Sequence, residues 1–83
     1  MKNPITAIRE TLKLEPAQLA ALSGVSQQTI RWNEKAENLD ISPKLKKCLT
    51  DMGFDEKQLT EDYAKYREWK KKQLLKQLKE QLA

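Results

Sequence analysis

Eighty-three residues make one small domain, near the size at which a single core just suffices. Hydrophobic residues are 39% and charged residues 34%, with three prolines and two glycines, which suits a compact helical chain and speaks against a disordered or β-rich one. The net charge of +4 is compatible with nucleic acid but far from a bare electrostatic binder, and +3 of it falls in residues 60–83.

The chain opens on Asn3-Pro4, an N-cap followed by a proline at the first helical position. Ile5, Ile8 and Leu12 recur at helical spacing, with Ala7 and Leu14 nearby, so one face is expected to pack inward and Arg9, Glu10 and Lys13 to lie on the wetter side. Pro16 again fits a first helical position. Leu19, Ala20 and Leu22 then give a second helix its apolar stripe, and the small Ala20 lets the next helix cross closely. Gly24 supplies the φ > 0 conformation that ends this helix without steric cost. Ser26 offers a hydroxyl as N-cap for a third helix beginning Gln27-Gln28-Thr29-Ile30. By the helical repeat, Ile30 faces inward while Gln27, Gln28, Arg31 and Lys35 project outward.

Residues 36–41 lack a full helical pattern and read as a connecting loop. Ser42-Pro43 restarts a helix with the same cap and proline pairing; Leu45, Leu49 and Met52 are its expected buried stripe, with Cys48 beside it as a small buried hydrophobe. Gly53 ends it, and Asp55 is a candidate cap for the last helix. Residues 56–82 hold no glycine or proline and are rich in helix formers, so they form one long helix or one broken near Leu59-Thr60. Leu59, Tyr63, Tyr66 and then Trp69 or Lys70 follow one face, and Leu74, Leu75, Leu78 and Leu82 continue an apolar stripe longer than a core of this size needs. The run Lys70-Lys71-Lys72 reads as a solvated face. The expected fold is therefore all-α, with residues 1–54 as a helix-turn-helix domain and 55–83 as a C-terminal helix for dimerisation or partner binding.

Pro16 to Lys35 resembles the Xre-type family of phage repressor and Cro proteins. Leu19-Ala20, Gly24-Val25-Ser26, Ile30 and Glu34 match the family's pattern of a Gln-x-x-Leu-Ala opening, a turn glycine, a small polar cap and an apolar-then-glutamate ending. The run Ser26-Gln27-Gln28-Thr29-Ile30 is similar to the recognition helix of lambdoid repressors that read adenine with paired glutamines. The resemblance covers residues 4–53 and implies a bundle of four or five helices that binds DNA, normally as a dimer. Pro16 stands where the family often has a glutamine touching the DNA backbone. Asn33 stands where it usually has an apolar residue, with Trp32 one position earlier on the face expected to meet DNA. Either the third helix rolls to bury Trp32, which is the preferred expectation, or Trp32 packs on a sugar, a thymine methyl or a partner.

A glutamine can bond adenine N7 and N6 together in the major groove, which separates A·T from G·C. Candidate DNA contacts are therefore Ser26, Gln27, Gln28, Arg31, Trp32 and Lys35, with Lys44 as a weaker phosphate contact. Candidate dimerisation or partner residues are Tyr66, Trp69, Leu74, Leu78 and Leu82.

With no histidine and one cysteine, the chain has no intramolecular disulfide, no histidine metal site and no His-dependent catalysis. No metal or cofactor is expected. No apolar run approaches the roughly 20 residues of a membrane span, and the start MKNPITAIRE has no stretch like a signal peptide, so a cytoplasmic protein is expected. An enzyme has little to stand on without a nucleophile–base set or a phosphate-cradling glycine loop. Two readings remain: a DNA-binding regulator of a phage or mobile element, and an antitoxin-type interaction protein whose C-terminal helix grips a partner protein.

Overall fold

Three prolines set three helix starts. In the computed structural model, which describes residues 1–82, Pro4, Pro16 and Pro43 each open a helix: α1 (Pro4–Thr11), α2 (Pro16–Ser23) and α4 (Pro43–Asp51). A proline lacks the N–H that a first turn cannot use, and its fixed φ already suits the helix. Between and after them lie α3 (Gln27–Glu34) and α5 (Glu56–Leu82). The expected all-α architecture with a long C-terminal helix is what the structure has.

Side chains close the helix starts. Asn3 Oδ1 accepts the Ile5 N–H at 2.8 Å, Ser26 Oγ the Thr29 N–H at 3.1 Å, and Asp55 Oδ1 the Gln58 N–H at 2.8 Å. At α2, Gln18 reaches back so that its Oε1 accepts the Glu15 N–H at 2.8 Å, a bond with no counterpart among the sequence-based expectations. Ser42, expected to cap α4, makes no side-chain cap bond; its N–H is used elsewhere, by Asn33.

Helix α2 packs on α3 and α4, α1 on α3 and α5, and α4 on α5. The core they enclose is Ile5, Leu19, Ala20, Ile30, Ala36, Ile41, Leu45, Leu49, Leu59 and Tyr63. Three residues expected to face it do not. Leu12 lies at the exposed C-terminal end of α1, and Leu22 and Met52 lie out on the surface beside α4. Cys48 is half-buried rather than buried. Arg9, expected on the wet side, folds inward: its Nε donates to Glu34 Oε1 at 2.7 Å and its guanidinium to the Leu14 carbonyl at 3.0 Å. That pair ties α1 to the end of α3.

Helix α5 runs unbroken through Leu59-Thr60. At about 1.5 Å per residue it is about 40 Å long, comparable to the 47 Å long axis of the molecule. Its first turns belong to the core through Leu59 and Tyr63, so no gap in packing separates residues 1–54 from the helix after them. Its last turns project. No helix among the described residues is long and apolar enough to cross a membrane.

Candidate nucleic-acid interface

The geometry of α3 begins at Gly24, which holds φ +75 and ψ 20 and gives its N–H to the Ala20 carbonyl at 2.9 Å. No side chain with a Cβ adopts that conformation cheaply. The buried Ala20 leaves room for α3 to pack against α2. Ser26 ends the turn, its hydroxyl engaged by the Thr29 N–H and the Thr29 hydroxyl.

On α3, successive residues turn by about 100°, so Gln27, Arg31, Lys35, Gln28 and Trp32 spread over an arc of about 140°. All five are exposed, as are Ser26 and Lys44. Ile30 and Asn33, on the opposite side, are fully buried. Helix α3 thus presents two amide side chains near its N-terminus, a guanidinium one turn on, and an ammonium at its end. Amide groups can bond adenine edges, and the cations can reach guanine or phosphate. Lys44 stands apart from this row, lining a shallow groove with Leu22 and Ser23 at the end of α2.

The orientation of α3 corrects the preferred sequence-based expectation. Trp32 is not rolled inward: it remains 41% exposed, and Asn33 is the buried residue. A buried amide demands partners, and Asn33 has them. Its Oδ1 accepts the Ser42 N–H at 3.0 Å, its Nδ2 donates to the Asp40 carbonyl at 3.4 Å, and its own carbonyl accepts from Asn3 Nδ2 at 2.8 Å. The polar plug joins the start of α1, the end of α3 and the start of α4. Beside it, Tyr63 donates its hydroxyl to the Asn38 carbonyl at 2.7 Å. Burial pushes the Tyr63 phenol above its usual value, against the downward pull of the nearby Asn33 amide and of Arg67.

The end of α3 is held by α5. Lys70 Nζ donates to the Lys35 carbonyl, and Arg67 Nε to the Ala36 carbonyl at 3.4 Å. Cations at a helix C-terminus meet both its unpaired carbonyls and the negative end of its dipole. Sequence reasoning assigns Lys70 to a solvated face; a partner 35 residues away leaves no local signal.

The partner-binding set is not brought onto one face. Tyr66 packs against the core and stacks on Trp69, ring centroids 5.6 Å apart. Measured by the helical repeat, Leu74, Leu75, Leu78 and Leu82 lie about 100° around α5 from the core row, and Trp69 lies nearly opposite them. Only the leucines form a shared surface. Comparison with protein-family models, with curated proteins and with solved structures finds no match to this chain.

Proposed function

We propose that this chain is a sequence-specific reader of double-stranded DNA, a repressor or Cro-like switch protein of the Xre type, acting in the cytoplasm without a cofactor and without catalysis. Helix α3 enters the major groove, Gln27 and Gln28 read A·T pairs, Arg31 reaches guanine or phosphate, and Lys35 and Lys44 meet backbone. Trp32, outside the core, supplies an apolar surface for a sugar or thymine methyl. The observation that supports this reading is the exposed arc of α3: five side chains suited to DNA share one face that nothing else among the described residues covers. A source in a phage or mobile element rests on the resemblance alone.

The test is selection of binding sites from a random duplex pool, with wild type beside a Gln27→Ala/Gln28→Ala variant. Recovery of a motif that loses its A·T preference in the variant is the expected result. Half-sites about 10 base pairs apart would mark a dimer. Binding with a steep salt slope but no motif would remove the claim, because phosphate contacts alone would then carry affinity.

A second reading rests on the exposed leucines of α5. There the tail grips another protein, as an antitoxin grips its toxin, and DNA binding serves autoregulation. A leucine-dependent hetero-complex with a small neighbouring gene product would favour it.

A further inference from the structure

The last three turns of α5 carry a surface that the domain does not use. Leu74, Leu75, Leu78 and Leu82 are 52%, 47%, 53% and 86% exposed. By the helical repeat they fill an arc of about 100°, with Lys71 inside it at the N-terminal end. The two edges of that arc differ. Lys72, Lys76 and Lys79 run along one, and Gln73, Gln77 and Gln81 along the other, all exposed. Glu80, the only acid after Glu68, lies on the far side of the helix from the leucines.

The row begins in a groove that Leu74, Leu75 and Leu78 share with Ala36 and Glu37, just past the end of α3. Arg67 and Lys70 reach the carbonyls of Ala36 and Lys35 from the glutamine side of the row, so that side is walled and the lysine edge is open. A flat bilayer does not enter a groove, and it rewards aromatic rings among the apolar residues, whereas Trp69 lies nearly opposite the leucines. A second copy of the tail brings the same lysines and no carboxylate to meet them. Cations along one edge and neutral amides along the other are matched by a helix whose acids lie along one edge only.

We propose that residues 71–82 of α5 dock an amphipathic helix of a different protein, acidic along one edge. Its apolar side chains, three and four positions apart, pack on the four leucines. Its Asp and Glu side chains meet Lys72, Lys76 and Lys79, and one carboxylate in line with its apolar row meets Lys71. The lysine stems cover the margin of the contact while their ammonium groups stay in water. The inference rests on the second reading above, in which the tail grips another protein, and supplies the chemistry of that partner.

The test offers the full chain a displayed library of helices about 15 residues long, enough to span the row. Each carries a leucine stripe, with Glu, Gln or Lys varied along both edges. Helices with Glu on one edge and uncharged residues on the other should be enriched. A synthetic copy of the enriched helix should bind in fluorescence anisotropy and weaken as salt rises. Leu78→Glu should abolish binding with helical circular dichroism unchanged. Lys72→Glu/Lys79→Glu should weaken it by about tenfold, and a helix with Lys in place of Glu should recover it on that variant. Enrichment that needs Leu78 but ignores edge charge would overturn the acidic edge and leave the gripping of a protein standing. No Leu78-dependent enrichment would remove both. Binding to phosphatidylglycerol vesicles, or a dimer in sedimentation equilibrium, would also overturn the proposal if lost in Leu78→Glu and unmoved by the enriched helix.

Discussion

Asn33→Ala is expected to be among the most damaging single changes in this protein. The side chain is fully buried, and its loss leaves the Ser42 N–H and the Asp40 carbonyl without a partner at the start of α4. An orphaned buried donor costs about 1–3 kcal/mol, the 3.4 Å bond to Asp40 adds little, and the space left by the amide adds about 1 kcal/mol. The expected loss is about 2–4 kcal/mol, against a total of about 4–12 kcal/mol for a chain of this length. At about 4–8 °C per kcal/mol for a domain of this size, the midpoint should fall by about 10–30 °C. Urea and thermal unfolding followed by helical circular dichroism measure this directly. The companion Asn33→Leu isolates the polar term: it fills the space but still strands the Ser42 N–H, and should cost about 1–2 kcal/mol. A leucine variant more stable than wild type would refute the reasoning. So would an alanine variant within about 0.5 kcal/mol of wild type, the range of an ordinary surface change.

Two further outcomes rest on local chemistry. A Cβ added at Gly24 meets no atom within 4 Å, so Gly24→Ala bears only the strain of its φ of +75, about 1–2 kcal/mol in urea denaturation; a larger loss would point to a clash the packing does not contain. Tyr63→Phe should cost about 1 kcal/mol at neutral pH through the lost bond to Asn38. Because burial raises the folded-state phenol above its unfolded value near 10, the stability Tyr63 adds is complete below about pH 10 and is lost as pH climbs through the folded value. The gap between wild type and Tyr63→Phe should therefore narrow at alkaline pH, and a gap that widened there would reverse the assigned sign.

Local punctuation makes most of the fold legible. Asn3-Pro4, Gly24, Ser26 and Pro43 mark helix ends through chemistry confined to a few residues, so the five elements can be placed from sequence. The outward arc of α3 is legible for the same reason, since helical spacing alone sets which residues share a face. Features that escape a sequence reading depend on distant partners. Asn33 looks like a misfit until Ser42 and Asp40 fold around it, and that network keeps Trp32 outside. Arg9 turns inward for Glu34, 25 residues on. The α5 leucines are a different case: their rotation away from Tyr66 involves no distant partner and follows once the helical repeat is carried along the whole helix. Leu12 and Met52 stay outside because they lie just past the last turns of α1 and α4, and Leu22 lines the open groove beside Met52.

The contact between α5 and the end of α3 has a thermodynamic consequence. Lys70 and Arg67 satisfy carbonyls of Lys35 and Ala36, so the surface proposed to face DNA and the helix that carries the leucines share one support. Events at either end that tighten or loosen that support are linked. If covering the α5 leucines steadies the end of α3 by some free energy, binding at α3 must favour that covering by the same amount, since coupling between two sites is reciprocal. On the DNA-reading proposal, occupancy of duplex would then depend on what covers the leucines, and the tail would act as a dial on the reading face.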